Sequence, residues 1–428
     1  MPTPVPHVGS YYAASAAAAP EHAPLDGEIQ ADVCVIGAGI TGCSTALHLA
    51  ERGYRVAVVE ARRVGWGASG RSGGQKITGF GAHMGTLKRL VGLDDARRLW
   101  AMSLEATAYV STLVERHAID CDLADGHLSV AIKPRHLREL EHMQEELARD
   151  YGYTDMQLLQ GADLQAQVRS SRYLAGLYDP RSGHLHPLNY TLGIARAARE
   201  AGARFFEATP VTRIERGSPA VVHTAQGRVR ADHVVVCANA HLDGLERTMM
   251  RRIMPVVSYI VATEPLGEDR ARELLPGNAA VADMNVLVDY FRLSGDRRML
   301  YGGRVPSGNA DLPSIREAIR ARMVEVFPAL AQARIDYAWG GYVAVTHNRA
   351  PNFGRLAPNV YFAHGYSGHG IALTAFAGRL MAEAIAGSAE RFDVFTRIPH
   401  LAFPAGAWFR RPAMQLTLAW YRLRDLLP

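Results

Sequence analysis

A glycine-rich turn followed by a single acidic residue is the feature of this chain whose residue types and spacing point to chemistry. Gly37, Gly39 and Gly42 follow the apolar run 33–36, and a helical pattern begins at Thr41. In a strand–turn–helix setting, such glycines permit a tight turn, let the backbone approach a pyrophosphate and let the helix pack closely on the strand. The free N–H groups and partial positive charge of the helix N-terminus favour phosphate there. The pattern predicts a dinucleotide site.

Glu60 completes this pattern. It follows a second strand-like run, residues 55–59, so its carboxylate is expected at the carboxyl end of the neighbouring strand. From there it would accept hydrogen bonds from a ribose hydroxyl and would repel a 2′-phosphate.

Two further glycine loops favour FAD over NAD as the dinucleotide. Residues 65–75 contain five glycines, and residues 365–370 contain three, between a predicted strand (360–364) and a predicted helix (371–386). The N-terminus of this second helix would stabilise the negative charge that a flavin gains on reduction, by about 1–2 kcal/mol. An NAD site has no use for a second helix N-terminus, so the sequence predicts FAD.

Composition indicates a globular protein with a large core, because the chain has 428 residues and 48% of them are hydrophobic. The net charge is +5, but 42 acidic residues accompany 47 basic ones without a basic cluster interleaved with aromatics, so no nucleic-acid partner is predicted. Cys34, Cys43, Cys121 and Cys237 lie far apart, which argues against a disulfide or a metal site. Cys43 falls on the first predicted helix and Cys237 in a predicted strand, so neither is favoured as a covalent attachment point for a flavin. Neither a signal peptide nor an uncharged apolar run of about 18 residues is apparent. No membrane span and a cytoplasmic location are therefore predicted.

The elements that must position these loops are spread along the chain. Separated strand-plus-glycine units predict an α/β fold: a Rossmann-like FAD-binding domain assembled from distant segments, plus an α+β substrate domain with a mainly antiparallel sheet. The predicted parts are an N-terminal arm (1–30), the FAD-binding domain (31–85, 185–245 and 335–390), the substrate domain (86–184 and 246–334) and a C-terminal tail (391–428). Individual predicted elements include a helix capped by Asp94 and ending near His117, a strand over 286–293, separate strands over 228–231 and 233–237, and a helix over 313–326.

Several motifs resemble the D-amino-acid-oxidase-like family of FAD-dependent amine oxidoreductases. The resemblance to the family is carried by residues 31–75, 339–351 and 365–370. Within the family, the chain resembles the group that oxidises gamma-glutamylputrescine. This resemblance is carried by Ser10–Ser15, the loop 65–75, Thr263–Leu266 and Ile398–His400.

The resemblance implies a set of residues that contact the cofactor. The pyrophosphate is expected against Gly37, Gly39, Ile40, Thr41 and Gly42. The adenosine ribose is expected at Glu60, with Ala61 and Arg62 also near the cofactor. The ribityl chain and flavin ring are expected along Gly67, Ala68, Ser69, Gly70, Gly73, Gly74 and Gln75. Adenine is expected at Val211, a second turn on the pyrophosphate side at Ala238 and Asn239, and the pyrimidine edge at Gly365, Ser367, Gly368, His369 and Gly370. FAD is expected to be held noncovalently.

The reaction implied by the resemblance is oxidative deamination of an amine. A hydride passes from the α-carbon to flavin N5, and water hydrolyses the resulting imine. Only the neutral amine can react, so the pocket is expected to desolvate it. Gamma-glutamylputrescine is the expected substrate, and a D-amino acid, glycine or sarcosine is the alternative. A non-catalytic flavin-binding accessory protein is the alternative of another class. The electron acceptor, oxygen or another molecule, and the oligomeric state are left open.

The sequence indicates candidates, but no certain group, for catalysis and substrate binding. His364 and Lys76 border the flavin loops and are the catalytic candidates. The substrate-binding candidates lie on strands expected over the flavin and are Tyr259, Tyr290, Arg292 and Tyr342. Arg292 could hold a substrate carboxylate bidentately. A structural arginine is the alternative for that residue, and core packing is the alternative for the tyrosines.

Overall fold

A computed structural model describes residues 5–303 and 312–403 of the chain. The strands, in chain order, are β1 (Gly27–Ile36), β2 (Val56–Val59), β3 (Gln75–Lys76), β4 (Ala124–Ala131), β5 (Gln157–Leu159), β6 (Ala175–His184), β7 (Arg204–Phe206), β8 (Val211–Glu215), β9 (Ala220–Thr224), β10 (Gly227–Val236), β11 (Met254–Thr263), β12 (Ala280–Asp283), β13 (Tyr290–Leu293), β14 (Met299–Gly303), β15 (Ile335–Val345), β16 (Asn352–Ala357) and β17 (Val360–His364).

The α-helices, in chain order, are α1 (Tyr11–Ala14), α2 (Ile40–Ala50), α3 (Met84–Arg116), α4 (Pro134–Tyr151), α5 (Gly161–Gln165), α6 (Pro187–Glu200), α7 (Arg247–Arg252), α8 (Glu268–Leu274), α9 (Leu312–Val326), α10 (Ile371–Ile385) and α11 (Glu390–Thr396). Short 3₁₀ turns lie at Ala68–Gly70 and Pro328–Leu330.

The first sheet brings three loops of the predicted cofactor site to one edge. Its order is β16-β17-β10-β1-β2-β7, with β9 and β8 attached beside β10. Strands β17, β10, β1, β2 and β7 run parallel to one another. Parallel strands end at the same edge, where ligands of such sheets bind. The loops that follow Ile36, Val236 and His364 therefore start side by side, although they lie far apart in the sequence.

Alternating residues of the first sheet pack into two different cores. Val33 and Val35 of β1 pack with helices α2, α3, α6 and α10 on one face. Cys34 and Ile36 point to the other face, where β9 and α7 contribute apolar side chains. This burial on both sides explains why the second half of β1, residues 33–36, is apolar without a polar alternation.

The second sheet is mainly antiparallel and has the order β15-β11-β14-β13-β12-β4-β6-β3, with β5 paired to β6. Only the pair of β12 with β4 is parallel among its described pairs. One face packs on α8 and α9. The opposite face, through Ile260, Leu300 and Trp339, packs on Tyr11 and Tyr12 of α1 and on α6.

These two sheets confirm the predicted α/β fold class and the mainly antiparallel second sheet. The helix predicted over 313–326 is also confirmed, with bounds Leu312–Val326. Among the described residues, no single helix is long and apolar enough to cross a membrane; α10 and α11 pass that test only as a pair, bent by 118°.

Two strand predictions were wrong in their bounds, and one helix prediction was incomplete. Helix α3 consists of two helices joined at Gly92 (φ +81°), whose conformation is not helical. The second of them agrees with the helix predicted from Asp94 to near His117, whereas the first, which begins at Met84, was not predicted. The strand predicted over 286–293 is formed only from Tyr290 onward, because the Asp283 carboxylate accepts the N–H groups of residues 285 and 289 and holds a turn there. The two strands predicted over 228–231 and 233–237 are a single strand, β10, because its pairing with β1 continues along its whole length.

The structure also places parts of the predicted domains differently. Helix α3, assigned to the substrate domain, packs in the core of the first sheet through Leu87, Trp100 and Val110. Strand β15, assigned to the FAD-binding domain, pairs with β11 in the second sheet. The predicted N-terminal arm contains helix α1, whose Tyr12 is fully buried. Residues 404–428 of the predicted tail lie outside the described part of the chain.

Candidate cofactor-binding and active site

The first glycine turn is shaped so that side chains would not fit. Gly37 has φ +100°, in the left-handed region that favours glycine, and a Cβ there would lie 3.1 Å from the Cys237 carbonyl group. A Cβ on Gly42 would overlap the Gly37 carbonyl oxygen, and one on Gly39 would lie 2.8 Å from Ser69 Oγ. The turn therefore leaves backbone exposed at the N-terminus of α2, which is the cradle that a pyrophosphate requires.

Ser69 brings the second glycine loop to this same helix end. Its Oγ accepts the Ile40 N–H at 3.0 Å. The residue at the N-cap position of α2 is Gly39, which has no side chain to accept this N–H, so Ser69 takes that role. The loop is compact, since a Cβ on Gly70 would overlap the Gly65 carbonyl oxygen. Gly67 lies against His241, which follows the end of β10.

Glu60 lies next to the first turn, as its position after β2 predicts. Its two carboxylate oxygens accept the N–H groups of Ala38 at 2.7 Å and Arg62 at 2.9 Å. Burial raises the pKa of Glu60, and the backbone hydrogen bonds oppose that rise. Each oxygen keeps a further lone pair, so the carboxylate can still accept a ribose hydroxyl. Val211 begins β8 close by, because the Thr209 N–H bonds the Glu60 carbonyl oxygen at 2.8 Å.

The N-termini of α2 and α10 meet. Thr41 Oγ1 and Tyr366 OH form a buried hydrogen bond of 3.0 Å. Further along the two helices, Ser44 Oγ donates to the Ala375 carbonyl oxygen at 2.6 Å. A Cβ on Gly378 would lie only 2.6 Å from the Thr45 backbone nitrogen, so the helices are in backbone contact. Two helix N-termini from opposite parts of the chain therefore point to one place.

The loop between β17 and α10 is tied to the end of β10. Asn239 Oδ1 accepts the Gly365 N–H at 3.0 Å, and Asn239 has a positive φ of 46°. Ser367 also has a positive φ, of 55°, and its N–H bonds the Ala344 carbonyl oxygen at 3.1 Å. In the same loop, His369 Nδ1 is buried without a hydrogen-bond partner. An orphaned polar atom beside two helix N-termini fits a polar ligand such as the pyrimidine edge of a flavin.

The expected role of Arg292 as a carboxylate clamp is wrong. The side chain is only 2% exposed, and its nitrogens donate to three backbone carbonyl oxygens and one hydroxyl: Gly73 O at 2.7 Å, Leu293 O at 2.9 Å, Leu185 O at 2.8 Å and Tyr12 OH at 3.1 Å. The guanidinium lies behind the glycine loop, and all three of its nitrogens donate hydrogen bonds to oxygens of the protein rather than to a substrate. The alternative reading of a structural arginine is the one that the structure supports.

The three tyrosine candidates have different surroundings. Tyr290 packs over Gly73, where a Cβ would lie 2.7 Å from the ring, and its hydroxyl bonds Ser258 Oγ at 3.0 Å. Tyr259 lies across from Gly340 in the pairing of β11 with β15. Tyr342 is 45% exposed and contacts His241 edge-on. Tyr290 is therefore the candidate that directly adjoins the flavin loop.

The structure also separates the two catalytic candidates. His364 is completely buried, accepts a hydrogen bond of 2.8 Å from Asn352 Nδ2 on the neighbouring strand, and has its pKa lowered to about 3 by burial. This position inside the sheet does not support a catalytic role for His364. Lys76 is 2% exposed and its Nζ donates to Asp125 Oδ1 at 3.0 Å. Its role beside the flavin remains a prediction.

Gln75 and the residues that sequence reasoning missed complete the site. Gln75 Nε2 donates to the Val281 carbonyl oxygen at 3.1 Å in the second sheet. Tyr366 and Tyr12 were not predicted as site residues, because an isolated tyrosine gives no sequence signal of the partner it will meet. Among the described residues, no group of three His, Cys, Asp or Glu side chains is arranged to hold a metal ion.

The comparisons with known proteins agree with this geometry. Residues 32–384 match the family described as FAD dependent oxidoreductase (DAO). The chain belongs to this family. The predictions of the family, of FAD as cofactor and of an oxidoreductase are thereby confirmed.

Two relatives match this FAD-dependent oxidoreductase over nearly its whole length. Gamma-glutamylputrescine oxidoreductase of Escherichia coli is 43% identical over 422 residues, 98% of this chain and 99% of that protein. The probable oxidoreductase OrdL of Haemophilus influenzae is 42% identical over 424 residues, 98% of this chain and 97% of that protein. Among solved structures, glycine oxidase from Bacillus cereus has the same fold, with a TM-score of 0.70 and 22% identity over 87% of this chain and 100% of that one.

Proposed function

We propose that this enzyme oxidises the primary amine of gamma-glutamylputrescine to the corresponding aldehyde. The observation that carries the proposal is the 43% identity, over 98% of this chain, to the Escherichia coli enzyme of that name. Motifs at both ends of the chain, Ser10–Ser15 and Ile398–His400, resemble the same group.

The residues brought together at the sheet edge would hold FAD. The turn from Gly37 to Gly42 would take the pyrophosphate, Glu60 the ribose, and the loops 69–75 and 365–370 the flavin. When bound, FAD accepts the hydride that leaves the α-carbon of the amine. We propose noncovalent binding, because all four cysteine thiols are buried inside the protein. The use of oxygen or another acceptor, and the cytoplasmic location, stay predictions.

The second sheet would position the amine. Tyr290 and Ser258 form a hydrogen-bonded pair next to Gly73 and are the polar groups that we assign to orienting the substrate. The largely apolar sheet around them disfavours the ammonium form by desolvation, and the neutral amine is the reactive form. The ring of Tyr290 also excludes water from the loop that it covers.

The position of Arg292 removes the residue that would have favoured a small amino acid as the substrate. Glycine, sarcosine or a D-amino acid carries a carboxylate next to the reacting carbon and needs a cation there. Arg292 was the candidate for that cation, and its donors are bonded to backbone carbonyl groups and to Tyr12. In gamma-glutamylputrescine the carboxylate is remote from the reacting amine, so no cation is required beside the flavin.

Anaerobic reduction of the bound flavin tests the proposal. The purified protein is mixed without oxygen with gamma-glutamylputrescine, putrescine, glycine, sarcosine or D-alanine, and the visible flavin absorbance is followed. We expect rapid bleaching by gamma-glutamylputrescine and slow or no bleaching by the others. Bleaching by glycine, sarcosine or D-alanine alone would establish the amino-acid alternative. A yellow protein that no amine reduces would favour the accessory role.

A further inference from the structure

Arg292 is a buried cation that forms no ion pair among the described residues, and Asp122 is a carboxylate near enough for the charge of Arg292 to lower its pKa against the rise that burial causes. The four hydrogen bonds of Arg292 go to neutral oxygens. Burying a charge is costly unless its donors are satisfied. A protein that keeps such a charge, rather than a hydrophobic residue, gains from the charge or from its geometry.

The guanidinium joins three separate parts of the chain at the glycine loop. Its Nε bonds the Gly73 carbonyl oxygen, and its Nη2 bonds both the Leu185 carbonyl oxygen, just before α6, and the Tyr12 hydroxyl of α1. A Cβ on Gly74 would lie 2.9 Å from Nη2, so the side chain is in contact with the loop. Only the planar fork of arginine supplies donors in all these directions.

We propose that Arg292 and Tyr12 are a positioning pair for the flavin: Arg292 fixes the Gly73–Gly74 loop from behind and places a permanent positive charge next to the loop that would hold the cofactor, and Tyr12 holds Arg292. The proposal rests on the FAD site of the family and does not depend on which amine is oxidised. The N-terminal segment thereby becomes part of the cofactor site, although it lies outside the residues that match the family.

The surroundings of Tyr12 show that the hydroxyl is placed for this contact. Tyr12 is fully buried, and its ring packs edge-on against His186 at 4.9 Å and Trp339 at 5.2 Å. The positive charge of Arg292 opposes the rise in the pKa of Tyr12 that burial causes, and it helps to lower the pKa of His184 and His186. The field of the guanidinium is therefore felt throughout the region behind the loop.

Two properties of the bound flavin follow from this arrangement. The flavin gains negative charge on reduction, so a fixed cation nearby favours the reduced form and raises the reduction potential. The immobilised loop lowers the entropy lost when FAD binds and so lowers its Kd. Loss of the positive charge of Arg292 should therefore lower the reduction potential, whereas loss of its hydrogen-bond geometry should raise the FAD Kd, and the two effects can be measured separately.

The experiment compares four variants, Tyr12→Phe, Tyr11→Phe, Arg292→Lys and Arg292→Met, without any amine substrate. FAD affinity is measured by fluorescence titration of the apoprotein, and the reduction potential by dithionite titration with a reference dye. For Tyr12→Phe we expect the FAD Kd to rise by about tenfold, the effect of losing one hydrogen bond to a charged group. For Arg292→Lys we expect weaker FAD binding with a nearly unchanged potential, and for Arg292→Met weaker binding with a lower potential.

Tyr11→Phe is the matched control, because it removes a neighbouring buried hydroxyl that bonds Asp296 and not Arg292. Equal effects of Tyr11→Phe and Tyr12→Phe on FAD affinity would overturn the proposal, as would a potential that is the same in Arg292→Met and the wild type. If both Arg292 variants fail to fold, the comparison of the two tyrosine variants decides. None of these outcomes depends on the substrate, so the proposed function and this inference fail independently.

Discussion

Replacing Gly378 by alanine tests whether the contact between α2 and α10 holds the two helix N-termini on one cofactor. Gly378 lies in the eighth position of α10, about 10 Å along the helix from its first residue. An added methyl group would not touch the cofactor. It would lie 2.6 Å from the Thr45 backbone nitrogen, whereas ordinary contact begins at 3.4 Å, so the helices must separate by about 0.8 Å.

The size of the effect follows from the hydrogen bonds that this movement stretches. The Thr41–Tyr366 hydrogen bond is 3.0 Å long and would lengthen to about 3.8 Å, beyond hydrogen-bonding distance. Losing it costs about 1 kcal/mol, and overpacking adds about 1–3 kcal/mol. The better helix propensity of alanine returns about 1 kcal/mol. We expect a net loss of about 2 kcal/mol in the free energy of unfolding, and a rise of about tenfold in the FAD Kd.

Urea unfolding of the apoprotein and fluorescence titration with FAD measure the two quantities. Gly193→Ala in α6 is the control, since the atoms nearest to the added methyl group belong to the Ile119 side chain and not to α10. It should lower stability without changing the FAD Kd. If Gly378→Ala is destabilised but binds FAD as tightly as the wild type, the convergence of the two helices is not what holds the cofactor.

Three further predictions concern single side chains. Glu60→Gln should raise the FAD Kd by about tenfold, because the amide leaves one backbone N–H without its acceptor; titration of the apoprotein checks it. Burial, with the Asp289 charge, raises the pKa of Asp283 to about 7, and burial raises that of Asp289 to about 6. Because the folded state holds these protons and the unfolded state releases them near the usual pKa of 3.8, the free energy of unfolding should fall as pH rises from about 4 to about 7. Urea unfolding at several pH values measures this decrease, and Asp283→Asn should make it smaller. His364→Gln should lower the Tm, but it should leave unchanged both the turnover per bound flavin and the pH profile of that turnover near neutral pH. A changed pH profile would show that His364 takes part in catalysis.

The cofactor half of the site could be predicted from sequence because local backbone geometry dictates it. A glycine is needed at position 37 by its φ, and at position 42 by contact with the Gly37 carbonyl oxygen, whatever surrounds them. These requirements lie within a few residues and leave a pattern. The acidic residue after β2, Glu60, is also fixed by its local surroundings, because its carboxylate accepts the N–H groups of Ala38 and Arg62.

The substrate half could not be predicted in the same way. The sequence around Arg292 is equally suited to a clamp and to a buried support, and its bonds to Gly73, Leu185 and Tyr12 join residues more than 100 positions distant. The helix start at Met84 was missed because no capping side chain marks it. Strand β13 was predicted too long because a turn held by Asp283 has no hydrophobic signature.

The central parallel ladder of the first sheet has a consequence for how the protein is made. β1 lies between β2, which follows it within about 20 residues, and β10, which is synthesised nearly 200 residues later; β17 follows after a further 120 or so. On the ribosome, the nucleotide-binding turn therefore emerges with one edge of its strand unpaired. Because α10 follows all of these strands in the chain, the two helix N-termini can meet at the cofactor site only after nearly the whole described chain has been synthesised.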